Sequence, residues 1–205
     1  MTIILIRHGE TNLNRAKILQ PPDTPLSELG EQQAARLARS LKGRGVDTIF
    51  SSDMKRAAQT ADAIALALQL PVQYSTLLHE RNFGDLRGKR YSELSIDPMD
   101  GNYLPPNGES WAQFRQRVAS AFESILQLAT GSGKTLAVVS HGLVIKEIVA
   151  RHLQLDQPIP EHFENTSITV FERHPPYKIS QLADASHIAD LMEASNRTGK
   201  QGGLV

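Results

Sequence analysis

The chain has 205 residues and no cysteine, and its 22 Lys and Arg balance 22 Asp and Glu, giving a formal charge of zero. That length, with 40% hydrophobic residues, suits about one globular domain. It excludes a disulfide framework, a thiolate zinc site, an iron–sulfur cluster and a cysteine nucleophile. It also leaves no global positive field to draw in nucleic acid or anionic lipid, so any anion site must be built locally.

Only Ile3 to Ile6 are apolar between Met1-Thr2 and Arg7, too few for a signal-peptide core or a membrane span. The chain is therefore expected to be soluble and cytoplasmic, with no membrane or nucleic-acid partner. The same β-branched run predicts a strand buried on both faces. Ala34, Leu37, Ala38 and Leu41 recur at helical steps. Val46 to Phe50 predicts a second strand, and Ala57, Ala61, Ile64, Ala65 and Leu68 a helix with Ser52 or Asp53 as its N-cap. Val72 to Thr76 reads as a further strand, followed by a helical stripe of Trp111, Phe114, Val118, Phe122 and Ile125. Leu136 to Val139 repeats the buried-strand pattern, and Val144, Ile145, Ile148 and Val149 follow at helical spacing. Ser167 to Phe171 predicts another strand and Tyr177 to Leu182 an edge partner. This alternation predicts an α/β fold with a largely parallel sheet. One domain is expected over residues 1–195, with 196–205 as a flexible, polar tail.

Ligands in open α/β sheets collect outside the carboxyl ends of the strands. Arg7-His8-Gly9-Glu10-Thr11 with Asn14 follows the first strand, Ser51 to Arg56 the second, and Ser140-His141-Gly142 the later buried one. If those three strands are parallel neighbours, Arg7, His8, Arg56 and His141 converge on one sheet edge. Guanidinium forks match phosphate oxygens, and histidine can donate, accept or attack. The chemistry suggested is phosphoryl transfer, with a neutral imidazole as nucleophile. His8 is the better candidate, because a ring nitrogen bonded to main chain would hold it in place. His141 would then donate to the phosphoryl oxygens. Glu80, in Leu77-Leu78-His79-Glu80-Arg81-Asn82-Phe83-Gly84, follows another strand and is placed to protonate a leaving alkoxide.

These segments resemble the histidine phosphatase superfamily, the phosphoglycerate-mutase-like fold, over nearly the whole chain. Arg7-His8-Gly9-Glu10-Thr11 with Asn14 resembles its signature, and Leu26-Ser27, Gly30 and Gln33-Ala34 its next segment. Ser51-Ser52 through Arg56-Ala57 and Gln59-Thr60 is similar to the arginine segment, Glu80 with Phe83-Gly84 and Gly88 to the acid loop, and Ser140-His141-Gly142 to the second histidine motif. The resemblance implies a three-layer α/β/α sandwich, a phosphohistidine at His8, and a phosphoryl clamp of Arg7, Asn14, Arg56, His141 and Gly142. It implies Glu80 as acid then base, a small phosphorylated substrate, and no metal or organic cofactor. Arg87 stands where many members carry an acidic residue, and Leu143 where mutases place asparagine.

Other residues take plainer readings. His79, His152, His162, His174 and His187 are read as structural, as is Glu10; Glu80 could instead be ion-paired to Arg81. Arg115 and Arg117 are read as a solvated or pocket-rim face. Gly131-Ser132-Gly133-Lys134-Thr135 resembles the end of a P-loop, but position 128 is Leu128 and the segment runs from helix to strand, the reverse of a P-loop, so it is read as a turn. The interval from Leu86 to Asn107 is short and lacks an Arg-Arg pair, which favours a phosphatase over a mutase. A phospholigand-binding protein without turnover is the remaining class. The pocket rim is expected from Gln20 to Pro25 and Leu86 to Asn107.

Overall fold

The computed structural model describes residues 1–132 and 135–194. Its strands are β1 (Thr2–Arg7), β2 (Val46–Ser51), β3 (Val72–Tyr74), β4 (Thr135–Ser140), β5 (Ile168–Glu172) and β6 (Ile179–Asp184). They form one sheet in the order β3-β2-β4-β1-β5-β6. β1, β2, β3 and β4 run parallel, while β5 and β6 add as an antiparallel edge. The helices are α1 (Asn12–Arg15), α2 (Glu28–Leu41), α3 (Lys55–Leu68), α4 (Trp111–Ser132) and α5 (Gly142–His152).

Side-chain alternation along the central strands sorts these helices into two layers. Ile3, Leu5, Leu136 and Val138 point to one face and pack against Phe114, Val118 and Ile125 of α4 and Ile145 and Ile148 of α5. Ile4, Ile6, Ala137 and Val139 point to the other and pack against Leu37 and Leu41 of α2 and Ala57, Ala61 and Ile64 of α3. Both faces of β1 and β4 are therefore covered, which is why these strands read as continuous apolar runs. The fold is the expected three-layer α/β/α sandwich.

β4 lies between β1 and β2, so the three strand ends that carry Arg7, Ser140 and Ser51 are adjacent in register: Arg7 pairs with Ser140, and Ser51 with Val139. Boundaries differ from expectation in a few places. α4 continues past Ile125 to Ser132, and β3 stops at Tyr74 because Ser75 Oγ accepts from Leu77 N at 3.2 Å and opens a 3-10 turn. The N-cap of α3 is neither Ser52 nor Asp53 but Met54, with no side-chain cap. Ser52 Oγ accepts from Met54 N at 3.3 Å, ahead of the first turn, and also meets His141, while Asp53 pairs with His79. Gly131 and Ser132 end α4; Gly133 and Lys134 of the expected turn, and the expected tail 196–205, lie outside the described residues.

Candidate active site

The loop after β1 is fixed from three sides. His8 N–H donates to Ser140 O at 3.0 Å, continuing the β1–β4 ladder, and Gly9 N–H donates to Thr60 Oγ1 of α3 at 3.0 Å. Glu10 N–H donates to Gln33 Oε1 of α2 at 2.8 Å, and its carboxylate accepts from Ser27 Oγ at 2.9 Å. Glycine is required where this loop meets α2, since a Cβ on Gly30 would stand 2.0 Å from Glu10 O and one on Gly9 2.7 Å from Gly30 O. Neither contact can be made by any side chain.

The loop delivers His8 fully buried, with its two ring nitrogens engaged differently. Nδ1 lies 2.7 Å from Gly9 O, a pure acceptor, so Nδ1 carries the proton. Arg56 Nε–H donates to Nε2 at 3.2 Å, which leaves the lone pair on Nε2. Burial, then the charges of Arg56 and Arg7, push the imidazolium well below the usual histidine range, against the smaller opposing effect of the Gly9 hydrogen bond. His8 is therefore neutral at physiological pH.

Arg56, in the first turn of α3, is 2% exposed. Besides His8 it donates from Nη1 to Pro21 O at 3.1 Å, and Nη2 meets Met54 Sδ at 3.4 Å. Burial lowers it to about 10, with Glu80 opposing and Arg7 and Arg87 reinforcing, so it stays cationic at neutral pH. Arg7 donates from Nη1 to Phe163 O, while its buried Nε has no protein partner among the described residues. His141 is fully buried with its ring centroid 5.1 Å from that of His8. Its Nε2 is 2.9 Å from Ser52 Oγ and its Nδ1 has no protein partner among the described residues. Burial and the charge of Arg56 hold it, like His8, neutral.

Glu80 faces this cluster from the loop after β3. Oε2 accepts from Leu143 N in the first turn of α5 at 3.3 Å, and Oε1 accepts from Arg81 N at 3.1 Å. Burial raises its carboxyl above the ordinary glutamate value, and the Leu143 hydrogen bond and Arg56 oppose this in part. The alternative ion pair with Arg81 does not form. Arg81 turns away, donates to the carbonyls of Glu109, Pro98 and Tyr103 at 3.2, 2.7 and 2.8 Å, and lies 4.2 Å over the Trp111 ring. Asp85 is exposed and held by Asn107, and does not line the cavity.

A cavity of about 530 Å³ opens over this edge and is lined by Arg7, His8, Asn14, Arg56, Glu80 and Gly142. Six of the seven expected residues thus share one wall; His141 lies behind it, against His8. Asn14 closes the capping box of α1 with Thr11 and accepts from Asn165 Nδ2 at 3.5 Å. The rim departs from expectation. Gln20, Arg87, Tyr91 and Met99 come from the expected loops, but Lys17 to Leu19, Lys146 and Glu161 to Phe163 also contribute. Lys17 to Leu19 is held there by backbone pairing, with Leu19 N–H on Lys89 O at 3.0 Å and Tyr91 N–H on Lys17 O at 3.0 Å. His162, read from sequence as structural, lines the cavity.

Arg117, expected on a solvated or pocket-rim face, lines a second cavity of about 370 Å³. It makes a two-point ion pair with Glu109, at 2.9 and 2.8 Å, and donates from Nη1 to Leu77 O at 2.9 Å and His79 O at 2.7 Å. No helical-stripe argument would single it out, because its partners are carbonyls of a distant loop.

Buried guanidinium groups beside a neutral, oriented imidazole at the carboxyl end of a parallel sheet define a site for phosphoryl chemistry. The chain belongs to the histidine phosphatase superfamily (branch 1), whose family model matches residues 3–182. It is 33% identical over 214 residues to a probable phosphatase of Schizosaccharomyces pombe, covering 98% of this chain and 99% of that protein. A probable phosphoglycerate mutase, GpmB of Yersinia enterocolitica, is 34% identical over 80% of this chain and 78% of its own length. Among solved structures, Bacillus stearothermophilus YhfR superposes with a TM-score of 0.78 at 30% identity, over 91% of this chain and 98% of that one.

Proposed function

We propose that the protein hydrolyses small phosphomonoesters through a phosphohistidine on His8. The observation that carries this reading is the pair of bonds on the His8 ring: Gly9 O fixes the proton on Nδ1, and Arg56 aligns the Nε2 lone pair. In the first step the Arg56 N–H hydrogen bond passes from Nε2 to a phosphoryl oxygen, the freed Nε2 lone pair attacks phosphorus, the P–O bond to the alcohol breaks, and protonated Glu80 gives its proton to the leaving oxygen. In the second, Glu80 takes a proton from water, the hydroxide oxygen bonds to phosphorus, and the N–P bond breaks, returning neutral His8 and inorganic phosphate.

Arg7 and Arg56 supply positive charge where the phosphoryl oxygens gather charge. His141 joins them if Ser52 Oγ–H donates to its Nε2, which places the ring proton on the unpartnered Nδ1. Asn14 and Gly142 complete the wall. The catalytic unit in this reading is a single domain over residues 1–195. Cytoplasmic placement fits a cysteine-free chain in which no described helix is long and apolar enough to cross a membrane. Phosphatase outcome over mutase follows the sequence reading above and the S. pombe relative named a phosphatase.

The test is steady-state hydrolysis of p-nitrophenyl phosphate by wild type, His8→Ala and Glu80→Gln. Turnover abolished by His8→Ala is expected. A wild type that binds phosphate but never turns over the ester would make the protein a phospholigand binder.

A further inference from the structure

With the phosphoryl group on Arg7, His8 and Arg56, one guanidinium of the cavity is left without an assignment. Arg87 is half-buried, and no hydrogen bond or ion pair of its side chain is present among the described residues. Its backbone is fixed: Arg87 N–H donates to Gly84 O at 3.2 Å, and Asp85 N–H to Pro106 O at 3.0 Å, so the side chain is presented by a held turn. The carboxylate closest in sequence is occupied, since Asp85 accepts from Asn107 Nδ2 at 3.1 Å with both oxygens. Burial lowers Arg87 and no carboxylate offsets it. A guanidinium kept partly out of water without an anion is unfavourable unless a ligand provides one.

Charge and position say what that ligand carries. The wall of the main cavity holds six cationic side chains, Arg7, Lys17, Arg56, Arg81, Arg87 and Lys146, against the carboxylates Glu80 and Glu161, in a chain of zero net charge. Arg81 is spent on three carbonyls, yet the excess of positive charge still exceeds the roughly two negative charges of a phosphomonoester. Arg87 also lines an adjoining cavity of about 370 Å³, and Met54 and Glu80 are the other residues common to both. In the mechanism above Glu80 touches the leaving oxygen. The cation that shares both cavities with Glu80 therefore lies on the side where the alcohol portion of the substrate extends.

We propose that Arg87 is a specificity-determining residue that binds a second anionic group, a carboxylate or a second phosphate, on the alcohol portion of the substrate. This rests on the phosphatase reading for the direction in which the alcohol lies. A charge-assisted hydrogen bond of this kind corresponds to roughly 10- to 100-fold in selectivity.

The experiment compares three esters on one three-carbon skeleton: glycerol 3-phosphate, 3-phosphoglycerate and 1,3-propanediol bisphosphate. Their kcat/KM is measured with wild type, Arg87→Gln, Arg87→Lys and Arg87→Glu, and their Kd by calorimetry with His8→Ala and His8→Ala/Arg87→Gln, which do not consume them. Wild type is expected to prefer at least one of the two esters whose alcohol portion carries a second anionic group over glycerol 3-phosphate by ten-fold or more. Whichever of carboxylate and phosphate is preferred identifies the group. Arg87→Gln is expected to reduce that ratio by ten-fold or more, Arg87→Glu to invert it, and Arg87→Lys to retain part of it. A wild-type ratio near one, a ratio unchanged in Arg87→Gln, or an equal loss on all three esters would overturn the assignment. If none is hydrolysed, turnover of p-nitrophenyl phosphate decides the phosphatase reading separately, and a Kd ratio near one between His8→Ala and His8→Ala/Arg87→Gln would overturn the role of Arg87.

Discussion

Arg56 Nε donates to His8 Nε2 at 3.2 Å, so a cation is hydrogen-bonded to the very atom that carries the nucleophilic lone pair. Burial, with the same guanidinium reinforcing it, keeps His8 neutral, and that guanidinium stands where phosphoryl oxygens must arrive. Replacing it with lysine keeps the charge but removes the planar fork that reaches His8, Pro21 and Met54 together. Arg56→Lys is expected to lower kcat/KM on p-nitrophenyl phosphate by about 100-fold, the scale of losing one preorganised donor. Wild-type kinetics in that variant would show that the Arg56 geometry is incidental.

The two buried histidines give the fold a signed dependence on pH. Both are depressed well below the ordinary value of 6.5, so their contribution to stability is complete above that value. As pH falls below it, the unfolded chain takes up protons that the folded state refuses, and stability drops. Glu80 is raised, so its contribution is complete below the ordinary value of 4.5 and is lost as pH rises through its folded value. Tm is therefore expected to fall between about pH 7 and about pH 5, less steeply in His141→Gln, and Glu80→Gln is expected to raise Tm at neutral pH but not near pH 4. A Tm insensitive to pH over that interval would refute the neutral, buried assignment.

Arg117 and Glu109 hold the loop that carries Glu80, through the carbonyls of Leu77 and His79 and the Asn82 N–H that donates to Glu109 Oε2 at 3.2 Å. Loosening that loop should penalise the step that needs a proton donor. Arg117→Met is expected to lower kcat by roughly 10- to 100-fold on an alkyl phosphate, whose leaving group needs protonation, and by much less on p-nitrophenyl phosphate. Equal losses on both esters would make the pair a support of the fold rather than of Glu80.

Gly30 is fixed by packing against the nucleophile loop. Gly30→Ala places a methyl 2.0 Å from Glu10 O, backbone that is tied to Ser27 N–H at 2.9 Å and cannot yield cheaply. The expected cost is about 2–3 kcal/mol, read as a fall in Tm of roughly 5–10 °C, with activity lost through displacement of His8. An unchanged Tm would show that α2 shifts freely.

The α/β class and the buried parallel strands were legible in the sequence because both-face burial writes itself as Ile3 to Ile6 and Leu136 to Val139. The three layers followed from the family resemblance, and the convergence of Arg7, His8, Arg56 and His141 depended on β1, β2 and β4 being neighbours, as they are. Motifs at strand ends then inherit their positions from the sheet. What was not legible depends on carbonyl partners and loop paths. Lys17 to Leu19 enters the rim through backbone pairing with Lys89 and Tyr91, which no side-chain pattern encodes. Arg117 and Arg81 are spent on the carbonyls of loops far away in the chain, and charge patterning could not assign them. The N-cap of α3 lies at Met54, while Ser52 Oγ accepts from Met54 N at 3.3 Å and also meets His141, a contact between residues 52 and 141 that helix-start rules do not weigh.

The central claim is the covalent step at His8, and acid-quenched and alkaline-quenched phosphoryl trapping tests it most directly. Wild type and His8→Ala are mixed with p-nitrophenyl phosphate in chelator, because Arg7 and Arg56 supply the charge stabilisation a metal would otherwise give. The account predicts undiminished turnover in chelator and one phosphoryl group on wild type that is labile in acid, stable in base and absent from His8→Ala. Phosphate on the protein that survives acid, an equal yield on His8→Ala, or turnover restored only by added magnesium would contradict it.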